Sequence, residues 1–431
     1  MSLGAQVALH LLLLAVCLLA VRPDVRTWPR PGVREGILAA LVLAAVPPPI
    51  QIPGWLGGQP NLILPMVAIA MVGLVLVGGW VGQASRPIAW LCGWAVVRTI
   101  FWGASPRALW ILLVILASAA LYRWAASLPG RADQVLMTAV LALSAVQVGF
   151  GWLDVTDKNP LVIISTPELQ RLPHGLLAHP NHLGLFLALA VPVGVAILMA
   201  VCGRGFWPAT LVIMLVSQMI GMVLASKSRV ATAALLPGFA WMVMLGTTRF
   251  PGWWRPWYLG SGLAVATGAI AWAALAINPR QLGDLGGRLG AWTVMAVDLA
   301  EGSGWRWAIG TGLGSWAEWA IRPGGRLRSF GVPELQIWPQ NRMSGWWSEA
   351  HNEPYQLLVE LGLVGLAFGI LAAAQVFRDG VRAFRDGDPW HQAWALVAMT
   401  GLLAAPFTPV FHHGALAMLV LVACARIRGK P

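Results

Sequence analysis

The chain alternates long apolar stretches with short polar breaks over its whole length. A run of about 20 apolar residues crosses the hydrocarbon core of a bilayer as an α-helix. The pattern predicts an all-α polytopic membrane protein of about 12–13 transmembrane helices, depending on whether the proline-broken run at 46–54 is re-entrant. No repeat or linker divides residues 1–431, so a single membrane domain is expected. The apolar segments are 4–21, 36–52, 61–81, 87–105, 108–126, 134–152, 183–202, 206–225, 229–246, 258–277, 354–377, 391–408 and 412–425.

The composition agrees with this interpretation. Hydrophobic residues make up 58% of the chain and charged residues only 11%, whereas soluble domains are about 25% charged. The formal net charge is +12, but the basic residues punctuate the apolar runs and form no single tract. That is the pattern of membrane loops, so a nucleic-acid partner is not expected and the lipid bilayer is.

The basic residues also predict which side each connection faces. Cytoplasmic loops of membrane proteins carry an excess of Lys and Arg. The C-terminus is therefore expected in the cytoplasm, whereas the side of the N-terminus depends on an even or odd span count. The opposite face receives the segment near 153–182, the turn Ser226–Arg229 and a large loop at 278–353. The basic positions assigned to cytoplasmic loops and tail are Arg22, Arg26, Arg30, Arg34, Arg86, Arg123, Arg131, Arg204, Arg249, Arg255, Arg378, Arg382, Arg385, Arg426, Arg428 and Lys430.

The outer loop at 278–353 is far longer than usual connections, which favours a functional role. It contains a predicted helix, GRLGAWTVMAVDLAEG, then the glycine-rich GTGLGSW, and ends in the polar stretch EAHNEP. The spacing GxGxG without a βαβ context is not a dinucleotide fingerprint. We interpret it as a turn that lets the backbone approach another segment closely.

Cations gather on this outer face. Lys227 and Arg229 lie between two apolar runs with almost no loop, and Arg288 lies in the large loop. Ionisable groups at such depth are usually functional, and guanidinium groups bind phosphate through two oxygens at once. These residues predict an anion site; the alternative is that they snorkel to the interface and cap helix ends.

A second polar break, LLAHPNHLGLF, begins a later span. Pro180 suits the first turn of a helix, and His179 or Asn181 is expected to cap it. His179 and His182 have spacing compatible with metal binding, but no carboxylate is near in sequence, and no Cys/His zinc pattern occurs in the chain. A metal site is therefore not expected.

His351 is the sharpest candidate for catalysis. It stands just before Pro354, where a helix is expected to start, so a plain helix-end residue is one interpretation. However, imidazole is also the commonest general base. A base beside phosphate-binding cations indicates group transfer on a lipid-linked phosphate at the outer surface.

The motif around this histidine resembles a known family. His351-Asn352, nine residues and then Gly362-Leu363-Val364-Gly365 are similar to the hallmark of the O-antigen ligase and O-antigen polymerase superfamily. Three further elements arrive in the family's order: His179-Pro180-Asn181, the turn Ser226–Arg229, and the Arg288 helix followed by Gly310–Gly314. The resemblance covers roughly residues 130–375.

This resemblance implies a GT-C-like, metal-independent glycosyltransferase without cofactor in the bacterial inner membrane, with its active site on the periplasmic side. The donor would be a glycan on undecaprenyl pyrophosphate, and the acceptor a hydroxyl of lipid A-core. His351 would be the base, and Arg229 and Arg288 would hold the pyrophosphate; in-line attack would invert the anomeric centre. The expected substrate-binding residues are Lys227, Asn352, His179, Asn181, Trp346 and Trp347.

Several alternatives stay open. A polymerase would use the same chemistry on another lipid-linked repeat unit, and a protein O-oligosaccharyltransferase ranks third because the tail after Cys424 is short. Trp346 and Trp347 could stack on sugar rings or anchor the chain at the membrane interface. A transporter is the rival of a different class, with Arg98 as the one candidate site inside the membrane.

Overall fold

The structure is a computed structural model, and every regular element in its described part is helical. It describes residues 86–102, 106–156, 172–177, 179–202, 206–249, 292–293, 295–297, 299–300, 302, 304–316 and 352–428. The all-α prediction is confirmed for these residues.

Nine long helices make up the described bundle. Four of them, α3, α4, α5 and α7, are long and apolar enough to cross a membrane. Shorter helices lie at Gly175–Leu177, Trp305–Ile309 and Val410–His412. The nine are α1 (Arg86–Trp102), α2 (Pro106–Ser127), α3 (Ala132–Val155), α4 (Pro180–Val201), α5 (Phe206–Ala225), α6 (Arg229–Arg249), α7 (Glu353–Asp386), α8 (Pro389–Ala404) and α9 (Gly414–Arg426).

Each of these helices coincides with one apolar segment of the sequence. Four further segments, at 4–21, 36–52, 61–81 and 258–277, lie outside the described residues, so the expected total of spans stays a prediction. The loop assignment was wrong for several arginines. Arg86 and Arg249 are end residues of α1 and α6, Arg123 lies inside α2, and the last turns of α7 hold Arg378, Arg382 and Arg385. The helix continues past the apolar run and ends at Gly387, a C-terminal cap in the left-handed conformation.

Helix α4 is the centre of the core. It is apolar on all sides, and nearly every residue from Leu183 to Leu198 is buried, as expected of a helix surrounded by others. Helices α3, α5, α6 and α8 pack around it. Pro192 lies in the interior of α4 and faces Gly238 of α6, where a Cβ would meet the proline ring at an ordinary van der Waals distance of 3.5 Å.

The bundle has two polar ends. At one end, which we call the histidine end, α3 terminates and α4 and α7 begin; the Glu353 N–H donates to the Ala405 carbonyl there at 3.0 Å. At the other, the arginine end, α3 and α8 begin and α9 terminates. Basic residues assigned to the cytoplasm, such as Arg131 and Arg426, share the arginine end. Which end faces the cytoplasm stays a prediction.

A buried ion pair joins four helices at the arginine end. Arg426, the last residue of α9, is 1% exposed. Its Nε donates to the Asp133 carboxylate at 2.6 Å, and its Nη atoms donate to the carbonyls of Ala125, Leu128 and Pro129. The Trp394 indole of α8 donates to the same carboxylate at 2.9 Å. One guanidinium therefore caps the end of α2 and neutralises the charge of Asp133 in the first turn of α3.

We predict that Arg426→Ala strongly destabilises the protein. The substitution leaves the Asp133 charge buried without its main partner, and removing one member of a buried pair costs about 3–5 kcal/mol. Thermal unfolding of the purified protein in detergent or nanodiscs measures the effect.

Arg382→Ala is the matched control for this experiment. Arg382 also pairs with an aspartate, Asp379 at 3.2 Å, but its side chain is 66% exposed. Exposed pairs contribute less than about 1 kcal/mol. Equal losses of stability in the two variants would show that the Arg426 pair is not the clamp described.

Candidate functional site

Helix α7 begins at the histidine end with two satisfied polar residues. The Asn352 side chain accepts from the Tyr355 N–H at 2.9 Å and so caps the helix. Glu353 is buried, and its carboxylate accepts from the Phe411 N–H at 2.9 Å. Pro354 stands in the first turn, as the sequence predicts. The start of α7 is therefore tied to the segment 405–413.

Three imidazoles lie side by side next to this start. The His182 and His413 rings have centroids 3.3 Å apart, and those of His179 and His182 are 4.8 Å apart. His179 caps α4, because its Nδ1 accepts from the Asn181 N–H at 3.1 Å. The expected capping role thus belongs to His179, while Asn181 supplies the donor from its backbone. The cluster joins the α4 start to the segment that holds Glu353.

Helix α7 is broken at Gly362. This glycine has φ 72° and ψ −172°, values outside the helical region. The break deprives the carbonyls of Val359, Glu360 and Leu361 of their helical donors, which residues further along would otherwise supply. The N-terminal part, Glu353 to Leu361, is a short half-helix at the histidine end.

The glycine-rich segment of the outer loop docks on this break. The Thr311 N–H donates to the Val359 carbonyl at 2.8 Å, and the Gly312 N–H donates to the Glu360 carbonyl at 3.0 Å. Gly310, with φ 78°, faces Gly362 so closely that a Cβ on either would overlap the other segment's backbone. The expected close backbone approach is present, and its target is the GxxG motif.

Helix α1 completes the junction. The Trp94 indole donates to the Leu361 carbonyl at 2.8 Å. Arg98, which is 4% exposed, donates from Nε to the Ile309 carbonyl at 2.9 Å and from Nη2 to the Gly310 carbonyl at 3.0 Å. The charge that suggested a transporter site is thus engaged by the backbone of the glycine-rich segment.

The Ser226–Arg229 turn lies on the α4 flank of the same end. Lys227 has φ 54°, the left-handed conformation, and both it and Arg229 are exposed. Ser228 caps α6 by accepting from the Ala231 N–H at 3.3 Å. A side chain at Gly184 of α4 would overlap Ser226. Ser226 therefore packs against α4, Ser228 caps α6, and the side chains of Lys227 and Arg229 are exposed.

A buried Asp–His pair at this end was not expected from the sequence. The Asp154 carboxylate lies 2.5 Å from His174 Nδ1 and accepts the N–H groups of His174 and Gly175 at 2.8 and 2.6 Å. Gln147 accepts from the Leu176 N–H at 2.9 Å. The pair folds residues 174–176 against the end of α3, which fixes the approach to His179. The available signal was Gln147, a polar residue inside the apolar segment 134–152.

The structure brings together some of the residues that the sequence singled out. His179, Asn181 and Asn352 meet at the histidine end through the segment 405–413, and Lys227 and Arg229 lie on its α4 flank. His413 is the member that sequence reasoning missed; the signal was the polar pair His412-His413 at the start of the last apolar segment, 412–425. His351, Arg288, Trp346 and Trp347 lie outside the described residues.

Potential metal ligands can be assessed for the described part of the chain. In it, no group of three or more His, Cys, Asp or Glu side chains is arranged to hold a metal ion. The cluster of His179, His182 and His413 does not form such a group either, because its rings are packed against one another. Metal-independent chemistry stays a prediction.

Comparison with known proteins adds no assignment. No model of a known protein family matches this chain, and no curated protein matches it either. The class that the structure defines is thus an all-helical bundle with helices able to span a membrane. Function is therefore inferred from the residues of the histidine end and of the junction at Gly362.

We predict that Gly310→Ala disrupts the docking of the glycine-rich segment. Alanine at φ 78° costs about 1–2 kcal/mol, and its Cβ would also overlap the Glu360 carbonyl. Thermal unfolding of the purified variant should show a clear loss of stability, together with faster proteolysis of the outer loop.

Gly304→Ala provides the comparison within the same loop. Gly304 has φ −52°, and a Cβ there meets no atom of the described structure within 4 Å. Its stability should match the wild type. If Gly310→Ala is equally harmless, the close approach between the two glycine motifs does not stabilise the fold.

Proposed function

We propose that this chain is an O-antigen ligase-like glycosyltransferase of the bacterial inner membrane. The observation that carries the proposal is the convergence at one end. The segments 179–182, 310–314 and 352–362 hold the motifs that resemble the ligase and polymerase superfamily. The start of 352–362 binds the segment 405–413, which His413 joins to 179–182, and the end of 352–362 binds 310–314. In the sequence they are separated by up to about 180 residues, and nothing but folding brings them together.

The distribution of charge supports an anionic donor. Among the described residues of the histidine end, the carboxylates of Asp154, Glu353 and Glu360 are buried, each with a hydrogen-bonded partner. Lys227 and Arg229 are exposed at the same end. The accessible side-chain charge is therefore positive, which suits the diphosphate of an undecaprenyl-pyrophosphate-linked glycan.

The proposed reaction needs one base and stabilisation of the leaving group. His351 accepts the proton of the acceptor hydroxyl, whose oxygen attacks the anomeric carbon. The bond between that carbon and the phosphate oxygen breaks, and its electron pair leaves with the diphosphate. Arg229 and Arg288 stabilise the charge that develops there. Attack in line with the leaving group inverts the anomeric centre.

Lipid A-core is the proposed acceptor, and another lipid-linked repeat unit is the alternative. Lipopolysaccharide gels of a deletion strain separate the two. A core-only pattern with retained long lipid-linked polymer supports a ligase, whereas one repeat unit attached to core supports a polymerase. A normal ladder in the deletion strain, together with no transfer by the purified protein from a defined donor, would contradict both.

We predict that His351→Ala and His351→Gln abolish glycan transfer. Glutamine can hydrogen-bond but takes up no proton at neutral pH, so both variants lack the base. Turnover of purified protein with a defined undecaprenyl-pyrophosphate donor measures the loss. Both variants should unfold at the wild-type temperature; near wild-type turnover in either one would assign His351 to the helix end alone.

We predict that Arg229→Lys and Arg288→Lys lower kcat more than they raise KM. Guanidinium grips two phosphate oxygens, whereas ammonium acts as a point charge, and a contact with the leaving group strengthens as the bond breaks. A loss of about tenfold or more in kcat is expected. Lys227→Arg keeps the charge at the neighbouring exposed position and should be mild.

The donor can also reveal a wrong assignment. If Arg229→Lys and Arg288→Lys keep the wild-type kcat, the arginines do not act on the leaving group. Rescue of both variants by a truncated glycan would place them at the sugar instead.

A further inference from the structure

The break in α7 leaves three successive carbonyls that must find donors away from water. Within the described structure each has one: Val359 from the Thr311 N–H and hydroxyl, Glu360 from the Gly312 N–H, and Leu361 from the Trp94 indole. In a bilayer, non-helical backbone is tolerated only where such partners exist. The donors come from two sources, the glycine-rich segment and helix α1.

Arg98 connects these two sources. Its Nε and Nη2 donate to the adjacent carbonyls of Ile309 and Gly310, at 2.9 and 3.0 Å. The planar fork of a guanidinium fits two neighbouring acceptors in one fixed orientation, which an ammonium cannot reproduce. Leu313 of the same segment is buried between Ala95, Leu112 and Leu361. Helix α1 thus fixes the glycine-rich segment in the position from which that segment binds α7.

We propose that Arg98 and Trp94 of α1 are positioning residues for the reaction. Arg98 acts through the glycine-rich segment 310–314, and Trp94 binds the Leu361 carbonyl directly. Together they set the end of the half-helix 353–361, whose start is set by Ala405 and Phe411. This half-helix directly follows His351-Asn352 in the chain. The inference rests on the proposed function for its effect on turnover, but the mechanical coupling is independent of it.

The coupling explains features of the sequence that the chemistry leaves unused. A buried arginine within an apolar helix is expensive and is usually retained for function. Gly310 and Gly362 both adopt positive φ and face each other without side chains. The GxxG motif is thus the site at which the GTGLG segment of the same chain docks.

Amide hydrogen exchange of the full-length protein in nanodiscs tests this proposal. In the wild type, the N–H groups of Thr311 and Gly312 are held by the half-helix carbonyls, so peptides covering 309–316 should exchange slowly. Arg98→Gln and Trp94→Phe each remove donors from the junction, and exchange there should be about tenfold faster. Turnover should fall about ten- to a hundredfold in kcat with little change in KM.

Trp90→Phe is the matched control, because Trp90 lies one turn earlier on α1 and is 49% exposed. Its exchange and kcat should equal those of the wild type. Trp94→Phe is the milder variant and decides the question if Arg98→Gln does not fold. Unchanged exchange at 309–316, or faster exchange with an unchanged kcat, overturns the positioning role.

The two proposals can fail separately. If the wild type transfers no glycan, the proposed function is wrong, and the exchange data alone decide whether α1 holds the junction. If the wild type is active but the Trp94 and Arg98 variants keep its kcat, the positioning role is wrong and the transferase assignment stands.

Discussion

The described fold depends on how the backbone carbonyls at the break in α7 obtain hydrogen-bond donors. Helix α7 is interrupted at Gly362 and continues after it. The carbonyls of residues 359–361 therefore need hydrogen-bond donors that neither lipid nor the helix itself supplies. The donors come from Thr311, Gly312 and Trp94. The glycine-rich segment, α1 and α7 therefore contact one another at this break. These contacts determine where the segment beginning at Asn352 lies.

The arginine end solves a related problem with a single side chain. Arg426 satisfies the carbonyls at the end of α2 and the carboxylate of Asp133 at once. Its charge is fully enclosed, whereas Lys227 and Arg229 at the histidine end are exposed. Exposed cations also lie at the arginine end, among them Arg131 and Arg382, so the described feature particular to that end is the enclosed guanidinium of Arg426. We propose the histidine end for the anionic donor because the motif segments lie there together with Lys227 and Arg229.

The sequence predicts the helices better than the contacts between them. Apolar runs of suitable length locate the nine described helices, and Pro354 and His179 mark two helix starts through local chemistry that pattern reasoning can use. The break at Gly362 lies inside a continuous apolar run, so hydropathy predicts an unbroken span there. The contacts of Arg98 with Gly310 and of His182 with His413 join residues more than 200 positions apart. Such pairings follow from how the helices and loops pack together, which no local pattern encodes.

The position of a bound donor tests the central claim most directly. An experimental structure of the full-length protein in nanodiscs with an undecaprenyl-pyrophosphate-linked glycan would show the diphosphate. The account predicts diphosphate density at the histidine end, within contact of the Arg229 guanidinium and beside the segment that precedes Asn352. Density at the arginine end, or midway along the bundle away from Arg229 and Asn352, would contradict it.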